Sequence, residues 1–79
     1  MTHPEALKSI AELFEEAPDR ITPDTSRDEI AAWDSLGVLT LMSHLHREFG
    51  IILSDGEIQA MKKVNDILVI LEKNGKLAS

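Results

Sequence analysis

Residues 34–50 read DSLGVLTLMSHLHREFG, and the spacing of their apolar side chains decides the architecture. On a helical wheel at about 100° per residue from Leu36, Val38, Leu41, Met42, Leu45 and Phe49 fall between about 140° and 240°, one apolar stripe broad enough to face a core. Leu36 points the opposite way. Within about 80° of it lie Thr40, Ser43, His44 and Arg47, so a helix over residues 36–49 presents a second, outward face with a leucine at its N-terminal end. Asp34 or Ser35 can cap this helix at its start, and Gly50 closes it as a left-handed cap.

Outward from this helix, a recurring start signal marks others. A Ser or Thr followed three residues later by Glu lets each side chain satisfy the other's backbone N–H, and the pattern occurs as Thr2 with Glu5, Ser26 with Glu29 and Ser54 with Glu57. After the first, Leu7, Ile10, Ala11 and Phe14 repeat at helical spacing, which predicts a helix over 4–16 with Pro4 in its first turn and Pro18 beyond its end. Residues 17–34 are rich in Pro, Asp, Thr and Ser, with Ile21, Ile30 and Ala31–Ala32 as apolar anchors. They predict a long connection holding one short turn at 26–32. Ser54 opens a short third helix over 54–61 with Ile58 and Met61 inward. Val64, Ile67, Leu68 and Leu71 then give a fourth, stopped by Lys73-Asn74-Gly75, with 76–79 expected as a frayed tail.

The whole is expected to be one all-α domain over residues 1–79 with its core in about 4–73. The 79 residues are too few for two cores, and without Cys no disulfide staples them. Eight Lys and Arg against 14 Asp and Glu leave a net charge of −6, which repels phosphate backbones and anionic lipid, so neither nucleic acid nor membrane is expected as a partner. No apolar run approaches the roughly 20 residues of a membrane span and no signal-peptide pattern opens the chain, which predicts a cytoplasmic protein.

Enzymatic and metal chemistry find little support. His44 and His46 point about 200° apart on one helix and cannot chelate together. The carboxylates follow neither a calcium-loop nor a di-metal spacing, and there is no nucleophile elbow, phosphate loop or zinc-protease motif. What remains is Asp34-Ser35-Leu36. Its leucine faces away from the core, its serine stands at the tip of a long loop, and a helix N-terminus favours a phosphate ester there.

With these residues in place, the chain resembles the acyl carrier proteins, acidic four-helix bundles with a long first loop and a short third helix. The resemblance covers roughly residues 4–73 and rests on the long loop, Asp34-Ser35-Leu36 opening helix 2, Glu48-Phe49-Gly50-Ile51 at its end, Ser54-Asp55 before helix 3, and Val64-Asn65-Asp66 starting helix 4. It implies a carrier and not an enzyme, with 4′-phosphopantetheine from coenzyme A attached to Ser35 and cargo held as a thioester. It further implies a phosphopantetheinyl transferase, an acyl-loading ligase or synthase and downstream acyl-transferring enzymes as partners. Asp34, Leu36, Thr40 and Arg47 would form the contact surface of a monomer that docks transiently.

One departure bears on the pathway. In the familiar fatty-acid carriers the outward face of helix 2 is strongly acidic, whereas here it offers Gly37, Thr40, His46 and Arg47, with Glu48 the helix's one carboxylate. Trp33 and Gly37 around the motif look more like stand-alone carriers dedicated to one pathway, with acyl or aminoacyl cargo, than like a carrier of general fatty-acid synthesis. Gly37 costs about 1 kcal/mol of helix propensity, and the expected reason is close approach of the arm or a partner. The aliphatic interior, including Met42 and Met61, is expected to be ordinary core and not a chamber for a long chain. The competing classes are a small acidic interaction domain without modification and a serine hydrolase built on Ser35.

Overall fold

In the computed structural model, which describes residues 1–77, four helices and a long pinned connection share one apolar interior. The first helix, α1 (His3–Leu13), starts as its sequence predicts: the Glu5 N–H donates to Thr2 Oγ1 at 3.2 Å and the Thr2 N–H to Glu5 Oε1 at 2.9 Å. It stops three residues before the expected end. Glu15 takes a left-handed conformation (φ 57°), and the Glu15 and Glu16 N–H groups fold back onto the Glu12 and Ala11 carbonyls at 3.2 and 2.8 Å. A Schellman end of this kind normally uses Gly, so Glu15 hides the stop signal. The turn leaves Phe14 buried and Ala17 extended ahead of Pro18, as a residue before proline prefers.

The connection over 17–34 contains 3₁₀ turns at Pro18–Arg20 and Arg27–Glu29. The Ser26–Glu29 signal therefore opens a single tight turn, with the Ser26 N–H donating to Glu29 Oε2 at 2.9 Å, and no α-helix follows because Ile30 turns extended to bury its side chain. The segment is stitched to the chain before the last helix. The Arg27 N–H reaches the Lys62 carbonyl at 2.8 Å, and the Val64 and Asn65 N–H groups reach Thr25 and Pro23 carbonyls at 2.9 Å each. Loop carbonyls thus satisfy donors that open α4 (Val64–Lys73), while Asp66 Oδ2 accepts from the Lys62 and Lys63 N–H groups. Buried Thr25 braces the loop from within through the Thr22 N–H at 2.9 Å.

The long helix α2 (Ser35–Phe49) buries Val38, Leu41 and Leu45, half-buries Met42 and Phe49, and ends at Gly50 with φ 68°. The short α3 (Asp55–Ala60) carries the complete Ser54–Glu57 box, and Met61 just beyond it is buried. The tail departs from expectation: the Met1 ammonium donates to the Lys76 carbonyl at 3.1 Å and Leu77 is buried, so residues 76–77 dock, while 78–79 lie outside the described residues. Inside the bundle, a void of about 10 Å³ bordered by Ile10, Leu45, Ile67 and Leu71 is no larger than a water-sized probe. The aliphatic residues around this void are buried and close-packed.

Gly37 has an intramolecular reason that its sequence context does not show. It is buried, and a Cβ there would collide with the Ala32 carbonyl oxygen and touch Phe14. The loop backbone lies directly on the first turn of α2, so Gly37 belongs to the interior and not to the outward face. Gly37→Ala should therefore destabilise by about 1–3 kcal/mol, as overpacking does, against the roughly 1 kcal/mol gain that helix propensity alone predicts. In α3 a Cβ on Gly56 meets nothing nearer than Ser54 Oγ at 3.9 Å, and Gly56→Ala should stabilise by about 0.5–1 kcal/mol. Urea unfolding of both variants checks the contrast, and a stabilised Gly37→Ala protein would refute the close approach.

Backbone and side-chain hydrogen bonds from Thr2 and Ser54 hold the Glu5 and Glu57 carboxyls below their ordinary range. A carboxyl lowered in the folded state stabilises fully above its unfolded value, about 4.3 for Glu, and ceases to do so as pH falls through the lower folded value. The stability difference between wild type and Glu57→Gln should thus be constant near neutrality and disappear on acidification below that range. A difference that grows in acid contradicts this account.

Candidate functional site

The site is the junction where the connection becomes α2. Trp33 is buried and stacks on Phe14, ring centroids 5.2 Å apart and 19° from parallel, which anchors the last loop residues to the core. Its indole N–H is buried without an acceptor among the described residues. One residue later the backbone is extended, and Asp34 caps the helix: its Oδ1 accepts from the Gly37 N–H at 2.9 Å, while its carbonyl accepts from the Val38 N–H. Such a cap contributes about 1 kcal/mol. Of the two candidate caps, Asp34 takes the structural duty, and Ser35 is left as an exposed first residue of α2.

Around Ser35 the surface is more apolar than acidic. Leu36 is 71% and Leu39 61% exposed. Leu39 was legible on the wheel, where it falls about 60° from Leu36. Thr40 and Arg47 are exposed on the same helix, the Thr40 hydroxyl donating back to the Leu36 carbonyl at 3.0 Å. His44 departs from the expected outward face: it is half-buried, its ring set edge-on to Phe49 with centroids 6.1 Å apart. It sits nine residues along α2 from Ser35, roughly 13 Å of helix rise, too far to activate that hydroxyl. A hydrolase built on Ser35 and a histidine of this helix is excluded by that separation.

Two grooves flank the junction. One, with a cavity volume of about 280 Å³, runs between the end of α1 and the start of α2 and is bordered by Leu13, Glu15, Asp34, Leu36 and Thr40. The other, about 360 Å³, lies between α2 and α3 and is bordered by Arg27, Ser35, Val38, Leu39, Ile58 and Gln59. An exposed hydroxyl without capping duty, at a helix N-terminus and opening onto a groove lined by both polar and apolar side chains, fits a phosphate-linked flexible arm of mixed polarity. Asp34, Ser35, Leu36 and Thr40 are brought together at this end of α2, and Arg47 stands three turns away along the helix.

Comparisons with known proteins agree with this geometry. Residues 5–68 match the family model described as a phosphopantetheine attachment site. The chain is 37% identical over 67 residues to an acyl carrier protein homolog of Mycoplasmopsis pulmonis, covering 85% of this chain and 90% of that protein. It is 30% identical over 74 residues to an acyl carrier protein of Bdellovibrio bacteriovorus, covering 94% and 95%. The solution structure of a holo acyl carrier protein from Geobacter metallireducens superposes with a TM-score of 0.74 at 32% identity, covering 90% of this chain and 83% of that one. The chain therefore belongs to the acyl carrier protein family, as a carrier and not an enzyme, with 4′-phosphopantetheine as its prosthetic group and enzymes of acyl metabolism as its partners.

Proposed function

We propose that Ser35 is the attachment point and that the carrier serves a dedicated biosynthetic pathway with acyl or aminoacyl cargo, working as a cytoplasmic monomer. The observation that supports the first part is the division of labour at the junction: Asp34 caps α2, so the Ser35 hydroxyl is exposed and can be esterified without unpicking the helix start. A phosphopantetheinyl transferase would make that ester by attack of the Ser35 hydroxyl on the pyrophosphate of coenzyme A, the transferase taking the hydroxyl proton and adenosine 3′,5′-bisphosphate leaving, so Ser35 needs no activating neighbour of its own. The attached group would supply the thiol that the Cys-free chain lacks, holding cargo as a reactive thioester. The chain's own contribution is to fix the serine at a rigid helix start and to expose Leu36 beside it for an apolar pocket on the loading ligase or synthase and on downstream enzymes.

The second part is supported by the outer face of α2. It presents Leu36, Leu39, Thr40, His46 and Arg47, with Glu48 as the helix's one carboxylate, and so offers little to a basic docking patch. A carrier of general fatty-acid synthesis would depend on such a patch.

Incubation with coenzyme A and a transferase should add the mass of one phosphopantetheine to wild type and nothing to Ser35→Ala. A wild-type mass that stays unshifted refutes the assignment. Using the same transferase as the docking partner, Leu36→Ala should lower loading efficiency by about tenfold, the effect of losing roughly 1.4 kcal/mol. Neutralising Arg47 and Glu48 should leave the salt dependence of loading unchanged. A salt dependence that follows the α2 charges would favour general fatty-acid synthesis.

A further inference from the structure

Arg27 is the one charged residue bordering the groove that contains Ser35. It is half-buried, and its Nε–H donates to the Trp33 carbonyl at 3.1 Å, two residues before Ser35, with its guanidinium 6.0 Å from the centroid of the Trp33 ring. Both contacts are to uncharged groups, so neither cancels its charge. Nε is one of five donors on a planar fork, and the remaining donors sit on the two terminal nitrogens. An edge formed by those nitrogens matches two oxygens of a phosphate.

The charge of the surroundings bears on what Arg27 can bind. Residues 17–34 carry five carboxylates against two basic groups. Glu29 and Asp34 are committed to the Ser26 and Gly37 N–H groups, and Asp28 is exposed. A phosphodiester on Ser35 would add another negative charge to this already acidic loop. Half-burying a guanidinium to satisfy one carbonyl is an expensive use of a charge where a neutral donor would suffice.

Resting on the assignment of Ser35, we propose that Arg27 binds the phosphodiester of the attached arm and thereby steers the arm into the groove between α2 and α3. Leu39 and Ile58 supply apolar walls there, and Gln59 borders the same groove. Trp33 holds Arg27 in place through its carbonyl and ring face, which gives the tryptophan next to the motif a role beyond packing.

The test compares apo and loaded forms of wild type, Arg27→Gln, Arg27→Lys and, as an exposed cation elsewhere, Lys8→Gln. Loading is confirmed by mass, and phosphorus NMR of the arm is read together with the Arg27 Nε–H signal. In wild type the Nε–H signal should move on loading. The phosphorus signal of Arg27→Gln should differ from that of wild type and Lys8→Gln, with Arg27→Lys intermediate, and the difference should collapse in 1 M salt, where the screening length is about 3 Å. The docked population of the arm should fall about 2- to 5-fold in Arg27→Gln, the range of an exposed ion pair. Loaded proteins with identical phosphorus signals and an unmoved Nε–H overturn the role of Arg27 alone. A wild-type chain that gains no mass overturns the Ser35 assignment, and this role with it.

Discussion

The contact on which the site depends is that of the Ala32 carbonyl with the Cβ-less face of Gly37. Any other residue at position 37 would hold the loop off the first turn of α2. The same loop end carries Trp33, stacked on Phe14, and the Asp34 cap. Three weak elements, a loop end, a helix start and an aromatic pair, are thereby made to stand or fall together. Their joint effect is to place one small exposed hydroxyl on a rigid base.

The same economy runs through the rest of the chain. A stretch of 79 residues buries too little surface to leave a long connection idle. Ile21, Ile30 and Trp33 of the connection are all core residues, and its backbone supplies acceptors for the opening of α4. The loop is thus a structural layer held by short-range 3₁₀ and turn hydrogen bonds within itself and by backbone bonds to the start of α4. A polypeptide of this size can then hold an exposed serine at the start of α2 on a loop whose end is packed into the core.

Much of this was legible in the residues. The apolar period of residues 36–49 and the Thr2 and Ser54 boxes locate three helices closely, because local hydrogen bonding and one-sided burial agree there. The early end of α1 was missed for a local reason, because Glu15 adopts a conformation that normally announces itself as Gly. Gly37 looked like an opening toward a partner because the obstructing carbonyl belongs to a loop whose path no periodicity reveals. Asp34-Ser35-Leu36 could be found from type and order alone. Arg27 could not, since its value comes from folding back onto Trp33.

The charge of −6 is also unevenly placed: all the excess acid precedes Ser35, while residues 35–50 and 51–79 each balance. In sequence the acidic excess therefore stops at the junction: residues 17–34, which lead up to Ser35, carry five carboxylates against two basic groups, and the helix that follows is balanced. The one tryptophan stands at the boundary between these regions, stacked, dry and with its indole N–H shielded. Such a ring emits at short wavelength and shifts to the red when water reaches it, so the chain carries its own optical gauge of whether the loop is seated, two residues from Ser35.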